Sequence, residues 1–439
     1  MQQAKLLDIA AALLEKAAQK GATQAEIGIQ FSQGEQVSVR QRTVETVGSN
    51  QDKSVSITVY QGKQKGSTST NDFHEDSLNN ALEAAIQLAS ITGRDLYSGL
   101  ANPEDIARHI PDLQLCHPWE MDTREAIQLA LEIEEAALSY DKRICNSDGA
   151  NVHKSQGIHV YGNSHGFLAG YPTSRHSMSC VVMGAGEKGM ERNYEYTVAC
   201  HPQALWSAER VGQGAAERTL ARLDPRTIPT QKIPILFDRT LSHGLISHFI
   251  AAISGGNLFR KASFLCDSLG KRVFPTAFSL YEEPYLISKL GSSPFDGDGV
   301  ATLARPLVQK GAIQSYVLSA YSARQLGLQN TGNAGGVTNL RVEYPCVSQK
   351  ELLQQMHTGL WVTELMGQGV NLITGDYSRG AAGFWVDKGH IQYPVSGVTI
   401  AGHLGDMLAN IVGIADDVDE RSSVFVGSIL VDAMMVAGG

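Results

Sequence analysis

The hydrophobic and polar positions of the chain alternate between a helical period and a strand period. Near the N-terminus, apolar residues at helical spacing stop at Gly21, which predicts a helix built on Leu6, Ile9, Ala10, Leu13 and Ala17. Strict alternation follows and predicts three or more strands with turns at Gly34, Gly48 and Gly62; their apolar positions are Ile27, Ile29, Phe31, Val37, Val39, Val55, Ile57 and Val59. A second helix before Gly93 closes this unit and is built on Leu78, Leu82, Ala85 and Leu88.

The same order of helix, strands and helix returns after a proline-containing loop. Asp122 and Glu125 have capping-box spacing at the head of a helix that runs through Leu138. Strands are predicted over about 142–197, and a helix over about 202–223 closes the second unit. Prolines at positions 225, 229 and 234 then mark a linker. These patterns predict an N-terminal domain, 1–110, and a second domain with the same element order, 111–226.

The remaining residues, 230–439, are predicted to form a β-rich C-terminal domain. A strand at Ile235–Phe237 and a helix around Leu241–Ile253 come first. Between Gly359 and His403, apolar runs separated by glycine-bearing turns predict an antiparallel meander, with strands at 360–364, 370–374, 383–387, 390–394 and 398–401. The glycine-rich stretch 375–383 is interpreted as a corner of the sheet.

The end of this domain contains three further predicted elements. Asp387–Gly389 is predicted as a three-residue hairpin loop, 404–415 as a helix and 424–436 as a final strand. Strands are segregated from helices along the chain, with little alternation of single strands and helices. The predicted fold class is therefore α+β, with N-terminal helix–strands–helix units followed by a C-terminal domain built on an antiparallel β-meander.

Composition and charge limit the kinds of molecule that the chain is expected to bind and the compartment in which it is expected to work. With 43% hydrophobic and 18% charged residues, the chain has the composition of an ordinary folded protein. A formal net charge of −9 disfavours a nucleic-acid-binding surface, which needs a basic patch. The first twenty residues carry Lys5, Asp8, Glu15, Lys16 and Lys20, so they are expected to be neither a signal peptide nor a membrane span. The six cysteines include no closely spaced pair, which is typical of a reducing compartment and predicts a cytoplasmic protein.

Two glycine motifs match patterns that are known from catalytic and nucleotide-binding sites. Residues 184–189 satisfy Gly-x-Gly-x-x-Gly, and residues 162–166 satisfy the Gly-x-Ser-x-Gly pattern of serine hydrolases. Both motifs require a helix directly after them. The residues that follow, 191–198 and 167–171, have strand patterns instead, so each motif is interpreted as a turn.

Histidine spacing indicates no metal site. A helical zinc site needs two histidines on one helix face with a glutamate nearby. After His74-Glu75, Leu78 and Asn79 occupy the positions where a second ligand would fall. His243 and His248 are five residues apart, which is expected to place them on different faces of their helix.

Four long segments resemble the TldD/PmbA family, and within it the PmbA (TldE) branch. They are SGGNLFRKASFLCDSL at 254–269, SPFDGDG at 293–299, YSARQLGLQNTGNAGG at 321–336 and VTELMGQGVNLITGDYSRGAAGFWV at 362–386. The resemblance covers essentially the whole chain and is most specific from about residue 235 onward.

The resemblance implies a metallopeptidase family whose two branches pair as a cytoplasmic heterodimer. The TldD branch binds its metal with a His-Glu-x-x-x-His helix and a cysteine near the C-terminus. In this chain only His248 of that motif is retained; Phe249 replaces the glutamate and Ile253 the second histidine, and the last cysteine is Cys346. Because Phe and Ile side chains cannot bind a cation or move a proton, we expect no catalytic residue, no metal site and no cofactor on this chain, with zinc on a TldD-type partner.

The resulting hypothesis is a non-catalytic subunit of a metallopeptidase complex that acts on unfolded proteins and peptides. One alternative is a peptide-binding or assembly module that works without a protease. Another is a gyrase-associated regulator, suggested only by an older family name, modulator of DNA gyrase. No direct nucleic-acid or membrane contact is expected, and a homodimer in the absence of the partner stays an open alternative.

The predicted peptide-binding surface lies on two glycine-rich segments, 331–336 and 375–380. Small residues let a second backbone approach, so a peptide could add to a sheet edge there. The candidate contact residues are Asn333, Gly335, Gly336, Asp376, Tyr377, Ser378 and Arg379. Support of the turn is the alternative role for these side chains.

Overall fold

The computed structural model describes residues 2–438, and its N-terminal half is one antiparallel sheet covered by helices. The helices are α1 (Gln3–Gln19), α2 (Glu75–Ile91), α3 (Thr123–Leu138) and α4 (Ala208–Ala221), with a 3₁₀ turn at Pro202–Ala204. The strands are β1 (Gln24–Arg40), β2 (Thr43–Gln61), β3 (Gln64–Thr70), β4 (Ile144–Asn163), β5 (Leu168–Gly186) and β6 (Gly189–Ala199). They form a six-stranded sheet in the order β3-β2-β1-β4-β5-β6. The pairing of β1 with β4 thus joins the two predicted N-terminal units in one sheet, and their division near residue 110 stays a prediction.

The predicted helices of this half are present, although the one expected over about 202–223 begins at Ala208 after the 3₁₀ turn. Two of the predicted turns are wrong. Gly34 and Gly48 lie inside β1 and β2, so the β1–β2 hairpin turns at Gln41-Arg42; only the turn at Gly62 is present. At Gly34 a Cβ atom would stand 2.8 Å from Oδ1 of Asn50. This glycine therefore permits close packing of neighbouring strands rather than a reversal of the chain.

The Gln41-Arg42 turn is stabilised by a buried carboxylate. Both residues adopt positive φ, 52° and 61°, a conformation that costs about 1–2 kcal/mol per residue other than glycine. Glu134 of α3 is fully buried and accepts the backbone N–H groups of Gln41 at 2.8 Å and Arg42 at 2.6 Å. Hydrogen bonds to a charged group offset the strain of the turn.

Glu134→Ala is therefore expected to lower the free energy of unfolding by about 3 kcal/mol, since two backbone donors lose their acceptor. Hydrogen exchange at the amides of Gln41 and Arg42, read together with urea unfolding, measures the effect. Glu132→Ala is the matched control, because Glu132 is an exposed carboxylate on the same helix. Unchanged protection of the two amides would contradict this role of Glu134.

The C-terminal half contains two more sheets. Its helices are α5 (Arg239–Ala252), α6 (Gly255–Phe259), α7 (Ala320–Leu326), α8 (Gln349–Met356) and α9 (Leu404–Ala409). Its strands are β7 (Gln231–Phe237), β8 (Ser279–Glu282), β9 (Arg305–Gln309), β10 (Ala312–Ile313), β11 (Leu340–Glu343), β12 (Gly359–Met366), β13 (Asp376–Asp387), β14 (His390–His403), β15 (Ile411–Ile414), β16 (Val424–Phe425) and β17 (Ile429–Ala437). One sheet has the order β10-β9-β8-β11-β16 and the other β14-β13-β12-β7-β17-β15.

The second of these sheets closes on itself. β14 also pairs with β17, so β14, β13, β12, β7 and β17 form a ring of strands. The largest apolar core of the described residues combines side chains of the ring and α5, such as Phe237, Val362 and Phe249, with side chains of the other sheet, such as Leu280 and Leu307. The predicted α+β fold class and the antiparallel β12–β13–β14 meander are confirmed.

Several details of the predicted meander are wrong. Residues 370–374 contain a single bridge residue, Val370, followed by a turn at 372–374, rather than a strand. The glycine-rich stretch 375–383 is mostly the interior of β13 rather than a corner. The β13–β14 loop is the two-residue turn Lys388-Gly389, with both φ values positive. The helix predicted over 404–415 ends at Ala409 and is followed by β15. Among residues 2–438, no helix is both long and apolar enough to cross a bilayer.

Candidate functional site: the cavity beside helix α5

The residues of helix α5 face two different environments. Asp238 caps the helix by accepting the N–H of Thr240 at 3.0 Å. Phe249, 1% exposed, packs edge-to-face against Phe274 at 4.9 Å between ring centroids, and Ile253 is 0% exposed in the same core. His248 lies on the opposite side, with its ring edge-to-face on Tyr377 at 6.1 Å.

A cavity of about 120 Å³ lies between α5 and the strands β7, β12 and β13. Its polar border is formed by His243, His248, Tyr377 and Arg379. Its apolar border is formed by Phe237, Leu241, Leu245 and Leu365. Both histidines border the same cavity, although their five-residue spacing places them on different faces of α5. A cavity that is wider than one side chain can be lined by residues from neighbouring faces of one helix.

The charge of this cavity comes from one guanidinium group. Burial lowers the pKa of His248, and the positive charge of Arg379 lowers it further. Burial also lowers the pKa of His243, against the opposing effect of Asp419. Burial raises the pKa of Tyr377 to about 12, although Arg379 acts in the opposite direction. At neutral pH the cavity therefore contains neutral imidazoles, a protonated phenol and one cation.

These residues do not fit a zinc ion. Zinc needs several nitrogen, sulfur or carboxylate donors around one point. Phe249 and Ile253 point into the apolar core, and the guanidinium of Arg379 repels a cation beside the retained His248. Within residues 2–438, no three His, Cys, Asp or Glu side chains are gathered closely enough to hold a metal.

The predicted peptide-binding residues of β13 lie on two faces of the strand. Tyr377, 3% exposed, and the partly buried Arg379 face the cavity. Asp376 and Ser378 alternate with them and are exposed. The strand thus brings together two of the predicted residues and separates them from the other two.

Strand addition at 375–380 meets an obstacle in the structure. On one side, residues 376–380 pair with β14. On the other side, the backbone N–H of Ser378 donates to the carbonyl of Gly369 at 2.6 Å, and the backbone N–H of Asn371 donates to the carbonyl of Asp376 at 2.9 Å. A peptide would have to displace one of these neighbours, so side-chain recognition in the cavity is the arrangement that the described structure favours.

Asn333 holds its loop against the strands β8 and β9. Its side chain, 5% exposed, donates to Glu282 at 2.9 Å and to the carbonyl of Gly336 at 3.2 Å, and it accepts from Thr331 and from Arg305. These contacts use the hydrogen-bonding capacity of its amide, which favours the supporting role. Gly335 and Gly336 are exposed with φ of +98° and +114°, and no atom lies within 4 Å of a Cβ built on either.

A larger cavity of about 550 Å³ contains ionisable groups that the sequence patterns did not reveal. The carboxylate of Glu26 accepts from Tyr60 at 3.0 Å and from Tyr161 at 2.8 Å. Asp298 lies in the same cavity, and burial and then the charge of Glu26 raise its pKa. Asp298 could have been found from the sequence, because the segment 293–299 contains two aspartates close together. Glu26 lies on a strand with ordinary alternation, so no sequence pattern marked it as a site residue.

The two glycine motifs are turns, as their flanking patterns predict. Residues 184–189 form the β5–β6 hairpin, and residues 162–166 connect β4 to β5. The hydroxyl of Ser164 accepts the N–H of Ala25 at 3.0 Å, a structural hydrogen bond.

Comparison with known proteins identifies relatives along the whole chain. Residues 25–89 match the PmbA/TldA metallopeptidase domain 1, residues 116–223 the central domain and residues 230–438 the C-terminal domain. The "Metalloprotease PmbA homolog" of Haemophilus influenzae is 45% identical over 100% of this chain and 97% of its own. "Metalloprotease PmbA" of Escherichia coli O157:H7 is 44% identical over 99% of this chain and 97% of its own.

Solved structures show the same fold. A Bacteroides thetaiotaomicron protein described as a candidate modulator of DNA gyrase superposes with a TM-score of 0.93, with 25% identity and 98% of both chains covered. TldE from Thermococcus kodakarensis superposes with a TM-score of 0.85 at 18% identity, covering 98% of this chain and 100% of its own. The fold described above is therefore shared across distant sequences.

Proposed function

Because the chain belongs to the TldD/PmbA metallopeptidase family, we propose that it is the non-catalytic, peptide-binding subunit of a cytoplasmic metallopeptidase complex. The substrates of that complex are unfolded proteins and peptides. The zinc ion and the general base belong to a TldD-type partner. This chain contributes part of an enclosed groove and a surface that holds the peptide.

One observation supports this proposal above the others. The side chains of Phe249 and Ile253 fill the apolar core, and Arg379 stands beside His248. A metallopeptidase needs a metal to polarise the scissile carbonyl and a base to move a proton. Neither can be assembled at this helix, whereas a guanidinium, a phenol and imidazoles suit recognition of a substrate.

A reconstitution experiment tests the division of labour. We expect the purified chain alone to leave an unfolded protein substrate intact. Adding a TldD-type partner with the His-Glu-x-x-x-His helix should produce chelator-sensitive cleavage, measured by release of labelled peptides. Replacing the glutamate of the partner's motif should abolish cleavage, whereas His248→Ala in this chain should reduce it far less.

Two results would contradict the proposal. Chelator-sensitive proteolysis by the rigorously purified chain alone would place catalysis here. Failure of the chain to co-purify with such a partner, together with retained peptide binding, would instead support the protease-independent module.

A further inference from the structure

The cavity beside α5 is bordered by an arginine, Arg379, that has no acidic partner among residues 2–438. Within residues 2–438, the Nε atom of Arg379 is buried and has no hydrogen-bond partner, and no ion pair involves this arginine. Among the same residues no carboxylate lines the cavity. Asp419, whose charge acts on His243, is itself bound to Arg421 by two hydrogen bonds of 2.7 and 2.8 Å. The rest of this partly buried guanidinium has no counter-charge within the cavity, so an anionic acceptor from outside the chain would stabilise it.

The neighbours of Arg379 add further donors. The hydroxyl of Tyr377 stays protonated at neutral pH because burial raises its pKa to about 12. His248 is neutral there, since burial and the charge of Arg379 lower its pKa, so one ring nitrogen carries a proton. Guanidinium, phenol and imidazole groups thus border one small space.

The size and the border of the cavity select among anions. About 120 Å³ admits a carboxylate together with a small part of the group that carries it. The planar guanidinium matches the two oxygens of a carboxylate. The apolar border of Leu241, Leu245 and Leu365 suits the aliphatic atoms next to that carboxylate.

We infer that this cavity binds a carboxylate group of the peptide substrate, either the C-terminal carboxylate or that of an Asp or Glu side chain. The inference rests on the proposed peptide-binding function and specifies which chemical group of the peptide is recognised. Arg379 supplies the positive charge that attracts the carboxylate, and Tyr377 and His248 donate hydrogen bonds that orient it.

Fluorescence anisotropy with three labelled peptides tests the inference on the full chain. The probes are Ala-Ala-Gly-Gly-Ala-Ala with a free carboxylate, its C-terminal carboxamide, and Ala-Ala-Gly-Glu-Ala-Ala carboxamide, each with an N-terminal dansyl label, which carries no carboxylate. We expect at least one carboxylate-bearing probe to bind about tenfold to hundredfold more tightly than the first carboxamide, as is typical when a charge-assisted hydrogen-bond pair is lost. Tighter binding of the free acid identifies the chain terminus, and tighter binding of the glutamate peptide identifies the side chain.

Variants assign the preference to the cavity. Arg379→Met should remove the difference between carboxylate and carboxamide, and Arg379→Lys should retain only part of it because lysine lacks the planar fork. Tyr377→Phe keeps the ring packed and should weaken carboxylate binding severalfold, which provides a second test should Arg379→Met fail to fold. Arg124→Met is the matched control, because Arg124 is an exposed arginine on α3. Circular dichroism checks the fold of each variant.

The outcomes separate this inference from the proposed function. Equal binding of all three probes to the unmodified chain would overturn carboxylate recognition and leave peptide binding intact. If no peptide binds, the melting temperature in sodium propionate is compared with that in sodium chloride at equal ionic strength, and this comparison decides whether the cavity binds a carboxylate. Stabilisation by propionate that Arg379→Met abolishes would uphold the carboxylate cavity without the peptide function, and no stabilisation would overturn the inference.

Discussion

Phe249→Glu combined with Ile253→His, which restores the metal-binding pattern on α5, is expected to unfold the C-terminal half rather than create a zinc site. Both native side chains are buried in the largest apolar core, at 1% and 0% exposure. Loss of a core phenylalanine costs about 3–5 kcal/mol, and an unpaired buried carboxylate costs several more. The sum approaches the whole stability of a typical domain, about 5–15 kcal/mol.

Circular dichroism, limited proteolysis and elemental analysis for zinc check this result. The control is Phe249→Leu with Ile253→Val, which keeps the positions apolar and should leave a folded protein that is less stable by a few kcal/mol. The unmodified chain should contain no stoichiometric zinc, and chelators should leave its melting temperature unchanged. A folded double variant that holds one tightly bound zinc ion would refute the account of helix α5 given above.

Arg421→Ala is expected to destabilise the chain by about 3–5 kcal/mol, because it breaks a buried ion network. Arg421 binds both carboxylate oxygens of Asp419 and donates to Glu195 at 2.5 Å and to the carbonyl of Tyr196 at 2.9 Å. Its guanidinium also lies over the rings of Tyr196 and Trp206, at 4.4 and 4.7 Å from their centroids. Glu195 belongs to β6 of the N-terminal sheet, so this arginine links the two halves of the chain.

Urea unfolding of Arg421→Ala and Arg421→Lys measures the loss, with the smaller effect expected for lysine. Arg341→Ala is the control, since its ion pair with Glu283 is partly exposed and is worth at most about 1 kcal/mol. Burial acts to raise the pKa of Asp419, but the hydrogen bonds and charge of Arg421 outweigh burial and lower it. The contribution of Asp419 is therefore present at neutral pH and is lost as pH falls through the lowered pKa, so the gap between variant and unmodified chain should narrow in acid. An equal gap at neutral and acidic pH, or a loss no larger than that of Arg341→Ala, would contradict this role.

Local patterns identified most of the helices because their signals lie within a few neighbouring residues. The apolar stripe of α1 and the capping box of α3, formed by Asp122 and Glu125, are present as predicted. The strands of the meander were found for the same reason, since alternation identifies a half-buried strand without knowledge of its partner. The β1–β2 turn was misplaced because glycine usually marks a turn, whereas here Glu134, distant in sequence, holds Gln41 and Arg42 at positive φ.

By itself, the sequence determined the fold class, the family resemblance and the departure from a His-Glu-x-x-x-His pattern at Phe249 and Ile253 of α5. These are properties of residue identity and short-range spacing. Only the tertiary structure decided that Arg379 and Tyr377 share a cavity with His248 while Asp376 and Ser378 lie on the other face of the strand. It also decided that the hydrogen bonds of Asn333 tie its loop to Glu282 of β8 and Arg305 of β9. The physical reason is that burial, charge balance and hydrogen-bond satisfaction depend on segments that are distant in sequence, such as those of His248 and Arg379, and that meet only in the folded chain.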